Sequence, residues 1–126
     1  MAFITAVCIL SCNPVRRIDI KNNATDSAEI KWTLNEDSLM NNPFLISNSK
    51  ELKFILYPPN NQIKMSFGAG SWTPKEVQKL VGYLTSLEIT SSSQHIKIDS
   101  LPLIKEFLLA RRKGIGGAKI EIIVSR

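Results

Sequence analysis

The feature that most constrains the fold is an alternation of apolar and polar residues that recurs along the chain. Between Ala28 and Leu34, apolar residues alternate with Glu29, Lys31 and Thr33. Successive side chains of a strand point to opposite faces, so this period predicts a strand with one buried and one solvated face. By the same pattern, or by strand-favouring composition, further strands are expected at 17–21, 52–57, 63–67, 87–90, 95–98 and 118–124.

The connections between the first four strands carry turn-forming residues. Residues 22–27 are Asn-Asn-Ala-Thr-Asp-Ser, and residues 58–61 are Pro-Pro-Asn-Asn. Asn and Asp stabilise tight turns, and proline cannot donate a ladder hydrogen bond. We therefore expect two hairpins, one between 17–21 and 28–34 and one between 52–57 and 63–67.

Two helices are expected in the second half of the chain. Thr73 at the N-cap and Glu76 at N3 form a capping-box pattern, and Trp72 precedes it. Pro74 fits the first helical position. Apolar residues at helical spacing then indicate one buried stripe. A second helix is expected from 102 to 113, where Gly114 ends it.

These elements predict one α+β domain over residues 17–126, with a small antiparallel or mixed β-sheet and two helices packed on one face. The hydrophobic content of 44% and the charged content of 21% are typical of a folded globular chain. The net charge of +5 is compatible with an anionic partner but does not specify one.

The N-terminal segment has a different composition from the rest of the chain. Residues 2–10 are almost wholly apolar, Ser11 and Cys12 follow, and the sequence then turns polar. This stretch is too short to span a bilayer, but its length suits the apolar region of a signal peptide. The order Ile9-Leu10-Ser11-Cys12 resembles the lipobox of bacterial lipoproteins, in particular those of the Bacteroidota.

That resemblance implies a signal peptide at 1–11, a lipidated Cys12 and a short tether at 12–16. The segment directly after the cysteine, Asn13-Pro14-Val15-Arg16-Arg17, is basic, which favours a periplasm-facing anchor in the outer membrane of a bacterial cell envelope. The partners implied are the membrane and another envelope protein or polymer. The alternative is a soluble basic protein that binds nucleic acid or a toxin-type partner, with residues 2–10 as a core strand.

Catalytic chemistry is not expected. His95 is the only histidine, and it shares the polar face of its strand with Lys97 and Asp99. A general base needs a nucleophile within hydrogen-bond reach, and no such motif is present. We predict a non-enzymatic protein with no cofactor and no metal. The acidic residues are expected to form solvated ion pairs with nearby lysines: Glu29 with Lys31, Glu51 with Lys50 and Lys53, and Glu121 with Lys119.

Four residues are candidates for partner or anion contact, namely Trp72, Arg111, Arg112 and Lys113. The basic triplet follows a predicted helix, so its first role is to complement the negative helix end. No aromatic residue is interleaved with it, which argues against single-stranded nucleic acid as a partner. The segment Gly68-Ala69-Gly70-Ser71 is interpreted as a tight strand-to-helix turn.

Overall fold

The computed structural model describes residues 14–35, 43–44, 50–58 and 62–124. Within these ranges, eight strands and two helices follow one another along the chain. They are β1 Val15–Asn22, β2 Ala28–Leu34, β3 Glu51–Leu56, β4 Gln62–Ala69, α1 Pro74–Val81, β5 Leu84–Thr90, β6 His95–Ile98, α2 Leu101–Leu109, β7 Arg112–Lys113 and β8 Lys119–Val124.

The strands form two four-stranded sheets, and this confirms the α+β class but corrects the expected small single sheet. The first sheet has the order β4-β1-β8-β7, and the second has the order β3-β2-β5-β6. The first sheet is mixed, because β1 runs parallel to β8 and antiparallel to β4. The second sheet is wholly antiparallel.

Both predicted hairpins among the first four strands are wrong. β1 pairs with β4 and β8, while β2 pairs with β3 and β5, so the chain crosses between sheets at 22–27 and again after β3. The Asn22 side chain holds the first crossing: its Nδ2 donates to the carbonyls of Asp26 and Leu56, both at 2.9 Å. Its Oδ1 accepts from the Ala24 amide at 2.9 Å. Turn residues reverse the chain but do not choose its pairing partner.

The inner faces of both sheets and one side of each helix share a single hydrophobic core. Each large apolar side chain buried there contributes about 1.5–3 kcal/mol relative to an exposed position. The largest fully buried side chains are Trp32, Ile18, Ile20, Ile30, Leu34, Leu56, Leu84, Leu87, Ile104, Leu108, Ile120 and Ile122.

Helix α1 begins as predicted, whereas α2 ends earlier than predicted. The Thr73 hydroxyl accepts from the Glu76 amide at 3.2 Å, as the capping pattern requires. Helix α2 ends at Leu109, because Arg112–Lys113 pair with β8 as the short strand β7. Gly114, with a φ of +81°, belongs to the turn after β7 and does not cap the helix. The two helices contact each other and β5, and α2 also contacts β6.

The described helices have eight and nine residues, and neither is long and apolar enough to cross a membrane.

Candidate functional site

The outward face of the first sheet concentrates positive charge, and we call it the basic face. Ile18 and Ile20 of β1 are fully buried on the inner side, so the residues between them point outward. The strand registers place five basic and two acidic side chains on this face, a net charge of +3: Arg17, Lys21, Lys64, Lys113 and Lys119 with Asp19 and Glu121.

The outward face of the second sheet has no such excess. Its registers bring together three acidic residues and three lysines, with one histidine. They are Glu29, Glu51, Glu88, Lys31, Lys53, Lys97 and His95. The contrast shows that the excess positive charge is unevenly distributed between the two sheet surfaces.

Three cations of the basic face stand in one row across neighbouring strands. Arg17 of β1 is in register with Lys119 of β8, and Lys119 is in register with Lys113 of β7. Neighbouring strands are about 4.8 Å apart, and like charges placed directly opposite are destabilising. Their side chains are 39%, 27% and 55% exposed, respectively.

Glu121 offsets part of this repulsion from a nearly buried position. Its side chain is only 8% exposed and lies within ion-pair distance of three lysines. Oε1 is 3.1 Å from the Lys113 Nζ, while the Nζ atoms of Lys21 and Lys119 are each 3.4 Å from Oε2. The hydrogen bond from Lys113 is the main cause that lowers the pKa of Glu121 to about 2, against the opposing effect of burial. The predicted Lys119–Glu121 pair is confirmed, but the burial of Glu121 was not predicted.

Asp19 also lies on the basic face, yet its side chain is covered. Its side chain is 2% exposed, and its Oδ1 is 3.2 Å from the Arg17 Nε. β1 is an interior strand with β4 on one side and β8 on the other. Asp19 is in register with Lys64 of β4 and contacts Arg17, and long basic side chains of this kind can cover a short carboxylate. Position on a polar face therefore does not ensure solvation.

A cavity of about 380 Å³ lies beside α1 and combines aromatic and charged walls. We call it the α1 pocket. Its lining includes Arg16, Phe67, Trp72, Glu76, Lys79 and Tyr83. Aromatic rings extend from the core to this pocket, with centroids 5.4 Å apart for Trp32–Phe44, 5.6 Å for Phe44–Phe67 and 5.4 Å for Phe67–Trp72.

Arg16 is held rigidly at the edge of the α1 pocket. Its Nη2 donates to the Phe67 carbonyl at 2.8 Å and lies 3.5 Å from the Glu76 Oε2. Its guanidinium carbon is 5.3 Å from the centre of the Trp72 ring, in a cation–π contact. Residues 15 and 16 were expected in the tether, but both lie in β1.

Trp72, the first candidate contact residue, is buried. Its side chain is 2% exposed, and Nε1 donates to the Arg17 carbonyl at 2.9 Å. The backbone amide of Trp72 donates to the Gly117 carbonyl at 2.9 Å, and the backbone carbonyl of Trp72 accepts from the Arg112 Nη1 at 3.1 Å. Trp72 therefore joins β1 through its indole and the loop before β8 through its backbone, and direct contact with a partner stays a prediction.

The structure does not bring the side chains of Arg111, Arg112 and Lys113 together. Arg111 lies over the Phe107 ring at 3.5 Å, and burial lowers the pKa of its guanidinium. Arg111 Nη1 donates to the Phe107 carbonyl at 3.0 Å, and Arg112 Nε donates to the Leu109 carbonyl at 3.2 Å. These bonds confirm that the first two cations satisfy the last turn of α2. Lys113 alone of the three joins the basic face.

His95 lies on the outward face of the second sheet, as predicted. Its side chain is 60% exposed, and Nε2 is 2.8 Å from the Glu88 Oε2. Hydrogen bonds from His95 and Lys31 lower the pKa of Glu88. Lys31 also contacts Glu51 at 3.3 Å, so these charges form a surface network.

In the part of the chain that the structure describes, no three His, Cys, Asp or Glu side chains are grouped as metal ligands. Cys12, the predicted lipidation site, lies outside the described residues. Comparison of the chain with known protein families, with curated proteins and with solved structures finds no match.

Proposed function

We propose that this protein is a lipid-anchored protein of the bacterial cell envelope, attached through Cys12, whose folded domain is a non-catalytic interaction module. The observation that carries the proposal is the apolar segment that ends in Ile9-Leu10-Ser11-Cys12. In the proposal, residues 1–11 are removed and the domain faces the periplasm from the outer membrane. Its partner is another protein or polymer of the envelope.

The physical mechanism of the anchor is burial of acyl chains. Each buried CH₂ contributes about 0.8 kcal/mol, and a single chain gives only marginal binding, so stable attachment needs a second chain or a second signal. The diacylglyceryl group on a lipobox cysteine supplies two chains.

The start of the fold supports a very short connection to that anchor. The Gly70 amide donates to the Pro14 carbonyl at 3.0 Å, and β1 begins at the next residue. Cα atoms are 3.8 Å apart along the chain, so Cys12 lies within about 7–8 Å of Pro14. A lipid on Cys12 would therefore hold this end of the first sheet close to the membrane surface.

Partner contact is proposed for surfaces near this end. The α1 pocket offers a concave surface with aromatic and charged walls, a combination typical of binding sites. Arg112 and Lys113 are exposed members of the candidate set, whereas Trp72 is buried and supports the same region from within. Substitution of Lys113 tests direct contact with a partner, whereas substitution of Trp72 tests structural support of this surface.

The decisive experiment is metabolic labelling with an alkyne fatty acid in the native host, followed by mass spectrometry of the mature N-terminus. We expect label on the wild-type protein and a diacylated N-terminal Cys12, with no label on a Cys12→Ser variant. Cys8→Ser is the matched control, because it also removes a thiol but keeps the lipobox. An intact, unlipidated Met1 or Ala2 terminus would overturn the anchor and favour the soluble binding protein.

A further inference from the structure

We propose that the basic face is a docking surface for an anionic phospholipid membrane, on which the first sheet lies with its strands along the bilayer. This inference rests on the proposed lipid anchor and names the surface of the domain that meets the membrane. Its basis is the row Arg17–Lys119–Lys113, which crosses the sheet at the end where the chain would leave for the anchor.

The row of cations lies at the end of the first sheet that is closest to the proposed anchor. Pro14 is fixed to Gly70 by a backbone hydrogen bond, and Arg17 lies three residues further along β1. Lys119 and Lys113 are beside Arg17 through two consecutive strand pairings. The three cations therefore occupy the part of the basic face nearest to Cys12, and a membrane that holds the anchor lies within their reach.

The positive charge is concentrated on one of the two sheet surfaces. The basic face carries a net charge of +3, whereas the outward face of the second sheet is balanced. A basic residue near an anionic membrane strengthens binding by about fivefold, an effect that falls off within a Debye length of about 10 Å. Only a face held against the membrane gains from several such residues together.

The carboxylates that pair with this row are covered, whereas its cations are partly exposed. The Arg17 Nε is 3.2 Å from the Asp19 Oδ1, and the Nζ atoms of Lys113 and Lys119 are 3.1 and 3.4 Å from the Glu121 carboxylate. The side chains of Asp19 and Glu121 are only 2% and 8% exposed, whereas Arg17, Lys119 and Lys113 are 39%, 27% and 55% exposed. The surface that a partner meets in this row is therefore positive, and it suits an anionic phosphate.

The shape and chemistry of the basic face favour a membrane over a nucleic acid. The residues that the registers place on this face include no aromatic side chain, so it lacks a stacking platform for bases. It is the outward surface of a sheet, not a groove fitted to one polymer strand. A plane of phosphate headgroups matches a plane of lysine ammonium groups, and Val15, 53% exposed, adds an apolar residue beside the anchor.

The test uses the full chain with Cys12→Ser, so that no lipid is attached and the N-terminal segment contributes equally in every sample. Binding is measured by co-sedimentation with vesicles of phosphatidylcholine alone and of phosphatidylcholine with phosphatidylglycerol. Lys113→Gln with Lys119→Gln removes two charges from the basic face. Lys53→Gln with Lys97→Gln removes two from the outward face of the second sheet and is the matched control.

We expect tighter binding to the phosphatidylglycerol vesicles, weakened by added salt. The Lys113/Lys119 pair should weaken it about 25-fold, at about fivefold for each charge, and the Lys53/Lys97 pair should leave it unchanged. Thermal unfolding checks that each variant is folded. Lys64→Gln is the second probe, because Lys64 has no ion pair among the described residues, and it should weaken binding about fivefold.

Three results would overturn the proposal. One is equal binding to both kinds of vesicle, and another is equal weakening by the two charge-matched pairs. The third is binding to duplex DNA without binding to the vesicles. Acylation of Cys12 is measured in cells on the wild-type chain, so failure of the anchor and failure of the docking surface are distinguishable.

Discussion

The side-chain amide of Asn22 donates to the backbone carbonyl of Leu56 at 2.9 Å and thereby joins the end of β1 in the first sheet to the end of β3 in the second. The same side chain also bonds Asp26 and Ala24. Asn22 is fully buried, so water cannot replace these bonds. One polar residue in the core thus fixes the place where the chain changes sheets.

Replacement of this residue tests that role. We expect Asn22→Ala to lower the free energy of unfolding by about 2–4 kcal/mol, because it leaves buried backbone groups without partners. Chemical denaturation measures the change, and the adjacent Asn23→Ala is the control, since Asn23 is exposed. A loss no larger than that of Asn23→Ala would contradict the role.

Trp72 supplies a second test, because it was a candidate for partner contact and the structure buries it. Trp72→Phe keeps an aromatic ring but removes the hydrogen bond to the Arg17 carbonyl, and we expect a loss of about 1–3 kcal/mol. Trp32→Phe is the matched control, since Trp32 Nε1 has no acceptor among the described residues. If thermal unfolding shows the same loss of stability for Trp72→Phe and Trp32→Phe, the hydrogen bond from Trp72 adds nothing to the stability of the fold.

The sequence could predict which segments are strands and which residues face the core. The alternation at Ala28–Leu34 and the capping pattern at Thr73 depend on neighbours in the chain, and the structure confirms both. The pairing of strands could not be predicted, since the turn at 22–27 fits either a hairpin or a crossing. Long-range pairing also created β7, which shortened the predicted second helix.

The same limit applies to the basic face. Arg17 and Lys119 are distant in the chain, and only the parallel pairing of β1 with β8 makes them neighbours. Glu121 was predicted to be solvated, yet both Glu121 and Asp19 are buried. The alternating pattern assigns a residue to a face but does not show which side chains lie over it. Trp72 was singled out for its residue type and position, whereas its burial depends on the loops around it.

Arg16 at the α1 pocket gives a third test. Arg16→Lys keeps the charge but loses the planar group that donates to the Phe67 carbonyl and makes the cation–π contact with Trp72. We expect a loss of about 1 kcal/mol in the free energy of unfolding and a change in Trp fluorescence. Lys79→Arg is the control at the pocket rim, where the side chain is 62% exposed. An unchanged fluorescence spectrum in Arg16→Lys would contradict the cation–π contact between the guanidinium and Trp72.

Glu121 makes stability depend on pH in a defined direction. Its pKa falls from 4.5 to about 2 on folding, mainly through the hydrogen bond from Lys113. A carboxyl whose pKa is lowered by folding stabilises the native state above its unfolded pKa. That contribution is lost as the pH falls from about 4.5 toward 2. We expect Glu121→Gln to lose about 1–2 kcal/mol at neutral pH and almost nothing near pH 2.

Chemical denaturation across this pH range measures the difference between wild type and Glu121→Gln. Glu106→Gln on the exposed side of α2 is the control. Its free energy of unfolding should stay close to that of wild type at each pH. Because three lysines share the Glu121 carboxylate, the Lys113→Gln variant should reproduce part of the loss. The free energies of unfolding of wild type and Glu121→Gln should converge in acid. If their difference does not shrink, the buried carboxylate is not ionised in the native state.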